Sequence, residues 1–302
     1  MNRLATVLAL ATLAVAAVAA TATQPPTFAS GDGNGFVIVT HGGVGSPPAW
    51  SPDCQNAATA GAETAGSALD AACAAVVHLE DICRFNAGTG ANVRLDGVTV
   101  QMDAAVMTSA GDFAAVAALE RVRNPVLVAR EVLATPHRLL VGTGATRFAH
   151  ALGFADEVPY CDDSLRKARE RIGRLLAGEA GGGYDTFDWR RAWNYSTPAP
   201  TSVADLPSPP HEIELNDTVG TVVRAADGSF AAALSTGGTS ITLHGRVGDV
   251  PIYGCGCFAG PAGAVACTGF GEEIIRRAMA RLVYTRLAAG DSARERSEEH
   301  TS

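Results

Sequence analysis

The chain has 302 residues, a formal net charge of −8, and 47% hydrophobic but only 6% aromatic content, so it can bury a large core of Ala, Val and Leu in one large or two small domains. The acidic balance, with no Lys/Arg run interleaved with aromatics, argues against nucleic acid and for a small polar substrate. The 33 glycines gather in short apolar clusters, as backbone that turns tightly or approaches a ligand closely would.

Residues 1–22 carry one early Arg, an apolar run from Leu4 to Ala20, and small residues suited to cleavage near Ala20 or Ala22. This pattern predicts a secretory signal peptide and a secreted or periplasmic protein, the alternative being an uncleaved anchor. No later stretch is apolar for long enough to span a bilayer, so no stable membrane association is expected after signal cleavage. All seven cysteines (Cys54, Cys73, Cys83, Cys161, Cys255, Cys257 and Cys267) follow this segment. An oxidising destination permits disulfides, and the odd count leaves a thiol. The lone Cys255-x-Cys257 reads as core-packed or disulfide cysteines rather than a metal site.

From Phe36 to Val39 an apolar strand leads into HGGVG (41–45), and the Ala-rich stretch from Ala57 to Leu79 has helical composition. Val98 to Met107 alternates like a strand. Asn124-Pro125 then offers an N-cap and a first-turn proline to VLVAREVL. HRLLVGTGATRFAHALG repeats strand, glycine turn and helix, and DDSLRKARERIGRLL (162–176) reads as an amphipathic helix with acids at its start. Residues 181–217 break the pattern. Their glycine triplet and STPAPTSVADLPSPP predict an exposed, flexible linker without a core face.

After the linker, VGTVVRA and SFAAALST flank Ala226-Asp227-Gly228, a hairpin signal. A helix is expected from Gly271 to Leu287. Strands alternating with helices, then a hairpin, predict a layered α/β protein. The final heptapeptide RSEEHTS (296–302) matches a translated sequencing-adapter sequence, so the true chain is expected to continue beyond Glu295. The organisation is therefore read as 1–22 signal, 23–217 before the linker's end, and a truncated 218–295.

ELNDTVGTVV (214–223) places Thr218 between an acid and a strand. A plain turn is the simpler reading. A threonine hydroxyl becomes a useful nucleophile when its own α-amine, freed by cleavage of the preceding bond, acts as base. That chemistry calls for a loose segment upstream, an assisting acid and a rigid strand downstream, met here by the linker, Asp217 and VGTVV. Arg246 and Asp249, three apart in a glycine-rich loop, suit an amino acid's backbone end: a guanidinium takes a carboxylate in two hydrogen bonds, and a carboxylate takes an ammonium. A surface ion pair would be worth little there. No HExxH pair or complete dinucleotide fingerprint is present.

HGGVG, FNAGTG (85–90), RNP (123–125), DTVGTV, STGG (235–238), GRVGD (245–249) and TGFGE (268–272) occur in that order. Over residues 36 to 285 the chain resembles the plant-type asparaginase and isoaspartyl peptidase family of N-terminal-nucleophile (Ntn) hydrolases. The resemblance implies a four-layer αββα sandwich, made as a precursor that cuts itself between Asp217 and Thr218 into associated subunits. It implies Thr218 as nucleophile and base, Thr236 as its activating neighbour, and Thr268 with Gly269 N–H as the oxyanion hole. It further implies Arg246 and Asp249 as the substrate clamp, Gly269 and Gly271 at the substrate, and Asn86 near the nucleophile. The main-chain carbonyls of Leu79, Glu80, Ile82, Phe85, Ala87 and Thr89 match a sodium-binding loop, and no other cofactor is implied. Expected substrates are β-aspartyl dipeptides and L-asparagine, and the expected assembly is a homodimer of cleaved precursors. Glycosylasparaginase, which His244 before GRVGD resembles, is the alternative within the family. A non-catalytic, uncleaved amino-acid-binding protein, or an inactive truncated fragment, is the alternative outside it.

Overall fold

Short apolar runs rich in Val and Ala supply the strands of this protein, and proline-free Ala-rich or amphipathic runs supply its helices. A computed structural model describes residues 35–44, 46–64, 66–179, 184, 186–207 and 218–292, with the backbone of 14–19. In chain order the elements are β1 (Ala14–Ala19), β2 (Val37–His41), α1 (Ser51–Glu63), α2 (Ala68–Glu80), β3 (Met102–Thr108), β4 (Phe113–Leu119), α3 (Pro125–Val132), β5 (Leu139–Val141), α4 (Gly142–Ala151) and α5 (Asp162–Leu176). After the gap come β6 (Val219–Arg224), β7 (Phe230–Thr236), β8 (Cys257–Gly260), β9 (Gly263–Thr268), α6 (Gly271–Arg277) and α7 (Met279–Ala288).

One mixed sheet has the order β2-β6-β7-β3-β4-β5, antiparallel except for β4 with β5, and a smaller sheet has the order β1-β9-β8. Helices α2 and α3 pack on the larger sheet over a core of small apolar residues such as Ala72, Ala75, Val76, Ala104 and Val128. A second core, including Leu234, Phe258 and Val283, joins the larger sheet to β8, β9 and α7. The expected hairpin is β6–β7, closed at Ala225–Ser229 by backbone bonds of 2.9 and 3.0 Å. Strand β1 falls inside the segment expected to be a signal peptide.

Four expectations need correction. The helix over 57–79 is two helices, because Ser67 opens a new one: its hydroxyl accepts the Asp70 N–H at 3.2 Å while the Asp70 carboxylate takes the Ser67 N–H at 2.8 Å. The helix over 271–287 is broken at Ala278, whose φ of 46° lies in the left-handed region. Asn124 stands at the N-cap position of α3 but makes no cap bond; its amide turns to Glu80 at 3.1 Å, and the Glu80 carboxylate takes the Val126 N–H at 3.0 Å instead.

Lastly, the stretch expected to lack a core face has one. Trp189 and Leu206 are buried with Ile172 and Leu175 of α5 in a third core, and the Trp193 ring lies 4.8 Å from that of Tyr195. Residues 208–217 and 293–302 fall outside the described residues, and with them Asp217 and the adapter-like tail. A disulfide joins Cys83 to Cys161, while Cys73, Cys255, Cys257 and Cys267 are buried free thiols. Burial pushes the Cys73 and Cys257 thiols up to about 12. Among the described residues no helix is long and apolar enough to cross a membrane.

Candidate active site

Thr218 precedes β6, the second strand of the larger sheet, where the neighbouring β7 ends at Thr236. Antiparallel pairing sets Val219 opposite Ser235 and so brings the two threonines together. The Thr218 hydroxyl donates to Thr236 Oγ1 at 3.1 Å, and that oxygen also accepts the Gly238 N–H at 2.9 Å. Both threonines are buried. The Gly238 carbonyl is held by the Asn86 amide at 2.8 Å and the Asn92 amide at 2.6 Å, and Gly237 N–H donates to the Asn86 carbonyl at 3.0 Å. Asn86 therefore ties the loop after α2 to the loop after β7.

Arg246 and Asp249 stand on the next loop, and Gly271 closes against both. A Cβ at Gly271 would lie 3.0 Å from Arg246 Nη2 and 3.0 Å from Asp249 Oδ1. A Cβ at Gly238 or Gly248 would lie 3.1 or 3.0 Å from Arg246 Nη1. A side chain at any of these three points would push the Arg246 guanidinium aside, and at Gly238 a φ of 70° adds backbone strain. The Arg246 guanidinium pairs with Glu272, through Nε at 3.1 Å and Nη2 at 2.9 Å to each carboxylate oxygen.

Thr268 ends β9 and is fully buried, its Oγ1 without a hydrogen-bond partner among the described residues. A buried hydroxyl without a partner is costly. Gly269 follows with φ of 140°. Burial, and after it the nearby carboxylate of Asp249, raises the thiols of Cys255, Cys257 and Cys267.

Several residues at the site escape sequence reading. Arg94 is buried and donates through Nη2 to the Arg246 carbonyl at 3.1 Å and through Nη1 to Thr242 Oγ1 at 2.6 Å. Asp103 is buried and accepts the Gly248 N–H at 3.2 Å and the Ala118 N–H at 2.8 Å. Burial raises the Asp103 pKa, against the opposing pull of Arg94. His41 lies beside Gly220 of β6, and burial pushes its pKa down to about 4, with the Thr218 backbone pulling the other way. Only the motifs HGGVG and TGFGE gave a local signal, for His41 and Glu272.

The loop from 79 to 89 reaches the loop after β7 through Asn86. Leu79 and Glu80 end α2, where helix carbonyls carry partial negative charge. The Phe85 and Ala87 carbonyls each accept one backbone N–H, at 2.8 and 3.1 Å, and keep a lone pair. Carbonyl oxygens of this kind are the donor type that hard cations take. No cluster of three or more His, Cys, Asp or Glu is placed to hold a metal among the described residues.

The fold is that of a mixed α/β protein. A profile of the family described as asparaginase matches residues 51–302, and the chain belongs to that family. It is 40% identical over 236 residues to a plant-type L-asparaginase of Thermococcus kodakarensis, covering 77% of this chain and 71% of that one. It is 35% identical over 275 residues to an isoaspartyl peptidase/L-asparaginase of Danio rerio, covering 87% of this chain and 79% of that one. An isoaspartyl peptidase of Salmonella typhimurium is 41% identical over 220 residues, which span 71% of this chain and 62% of that one.

Proposed function

We propose that the chain is a self-processing threonine amidohydrolase that cleaves β-aspartyl dipeptides and L-asparagine to release L-aspartate. The observation that carries this reading is the 3.1 Å contact of the Thr218 and Thr236 hydroxyls at the head of a buried strand. The mature form is a four-layer αββα sandwich cut between Asp217 and Thr218. Helices on one face of the larger sheet, and the smaller sheet with α7 on the other, support that layering.

Cleavage frees the Thr218 α-amine, whose ordinary pKa of about 7.7–8.0 suits a base at neutral pH. The amine takes the Oγ proton, and Oγ attacks the substrate's side-chain carbonyl. Thr236 steadies the hydroxyl, while Thr268 Oγ1 and the Gly269 N–H donate to the oxyanion. The tetrahedral adduct collapses with its amine leaving group protonated, giving an acyl ester on Thr218. Water then attacks the ester, releasing L-aspartate and restoring the hydroxyl. Arg246 holds the α-carboxylate and Asp249 the α-ammonium.

Carbonyls of Leu79, Glu80, Ile82, Phe85, Ala87 and Thr89 would hold a structural sodium ion, which would stiffen the loop carrying Asn86. Residues 1–22 are a cleaved leader that directs the protein to a secreted or periplasmic location, where it works as a homodimer of cleaved chains. Intact mass and N-terminal sequencing after incubation at neutral pH test the reading. Two fragments, one beginning Thr-Val-Gly-Thr, are expected, with turnover of a β-aspartyl dipeptide exceeding that of a glycosylated asparagine. Turnover by a Thr218→Ala chain would overturn it.

A further inference from the structure

An arginine offers two paired edges, Nε with Nη2 and Nη1 with Nη2. In this chain the first edge of Arg246 is taken by Glu272, in the three bonds of 2.9 to 3.1 Å described above. The second edge faces glycine. Gly238 and Gly248 crowd Nη1, and Gly271 crowds Nη2 beside Asp249 Oδ1. The Arg246 guanidinium and the Asp249 carboxylate thus lie against the same glycine, as the groups that hold the two ends of a single amino acid require. The Glu272 side chain is 52% exposed, against 14% for Arg246. The backbone beneath is fastened separately by Arg94 and Asp103, so Glu272 is what fixes the guanidinium itself.

We propose that Glu272 is a positioning residue that grips the Nε/Nη2 edge of Arg246 and aims the Nη1/Nη2 edge at the substrate's α-carboxylate. This rests on the reading of Arg246 as carboxylate clamp. Glu272 thereby sets the preference for substrates with a free α-carboxylate, and it takes no part in bond making. Self-cleavage at Thr218 involves no substrate carboxylate, so it is independent of Glu272.

The test compares the full chain with its Glu272→Gln, Glu272→Ala and Arg246→Ala variants, measuring maturation by intact mass and KM and kcat on β-aspartyl-leucine. Glu272→Ala is expected to mature at the parent rate and to raise KM about tenfold with kcat within about threefold, the loss of one well-formed charged pair. Glu272→Gln, which keeps one acceptor, is expected to fall between. An unchanged or lowered KM in Glu272→Ala would overturn the proposal, the lowered value meaning that Glu272 competes with substrate for Arg246. If Arg246→Ala also leaves KM unchanged, the clamp reading itself fails; if Arg246→Ala alone raises KM, the clamp stands and the role of Glu272 falls. Should Glu272→Ala misfold, Glu272→Gln decides on the same criteria.

Discussion

Asp103 and Gly248, 145 residues apart in sequence, meet where a buried carboxylate oxygen accepts a backbone N–H at 3.2 Å. The other oxygen takes the N–H of Ala118, whose φ of 48° marks the register shift between β3 and β4. One side chain therefore steadies an irregular strand and the loop that presents Arg246 and Asp249. Asp103→Ala leaves two N–H groups unpaired and removes the charge opposite Arg94. Urea unfolding is expected to show a loss of about 2–4 kcal/mol, with KM rising more than kcat falls.

Thr236 holds the Thr218 hydroxyl and the Gly238 N–H on one oxygen. Thr236→Val keeps the shape and removes that oxygen. Turnover should drop by about 10²-fold or more, while Thr236→Ser should recover most of it. Single-turnover rates on matured protein measure this, and equal rates in both variants would rule out a role for the hydroxyl.

Two buried groups titrate in opposite senses. His41 moves from 6.5 to about 4, so its contribution is full above 6.5 and is lost as pH falls toward 4. Glu80 moves from 4.5 to about 8, so its contribution is full below 4.5 and is lost as pH rises through 8. Stability should fall on both sides of a weakly acidic maximum, by a few kcal/mol on the order of one pKa unit per 1.4 kcal/mol. Denaturation from pH 4 to 8 should show a flatter acid limb in His41→Gln and a flatter alkaline limb in Glu80→Gln.

The Cys83–Cys161 disulfide closes a loop across a sequence separation of 78. It also pins residue 83, in the middle of the 79–89 loop, to the start of α5. Reduction, or Cys83→Ser with Cys161→Ser, should lower stability by about 2–4 kcal/mol. A melting temperature unchanged by reductant would show that the loop is held without it.

Local patterns revealed what local chemistry builds. Helix α5 runs over the expected residues 162–176, and the β6–β7 hairpin closes at the expected Ala-Asp-Gly turn. The Thr218 and Thr236 hydroxyls lie 3.1 Å apart, and Gly271 packs against both Arg246 and Asp249. Strands β4, β8 and β9 went unread because FAAVAAL, CFAG and GAVACT are buried on both faces and show no alternation. Arg94, Asp103 and the side-chain role of Glu80 went unread because their partners lie far away in the chain. The core face of Trp189 and Leu206 was hidden by prolines and irregular spacing, which carry no period.

The β6–β7 hairpin follows residue 217, yet it lies between β2 and β3, which precede it. Hydrogen-bond ladders on both sides of the hairpin join the two stretches. If the chain is cut before Thr218, β6 and β7 are joined to the preceding stretch by these ladders and by core packing, with no peptide bond between them. Unfolding then changes its molecularity: it becomes a dissociation, with a midpoint that depends on protein concentration and with refolding that requires two fragments to find each other. A cut chain is thereby held by kinetics as much as by equilibrium, since neither fragment can leave until a central strand pair has been stripped away.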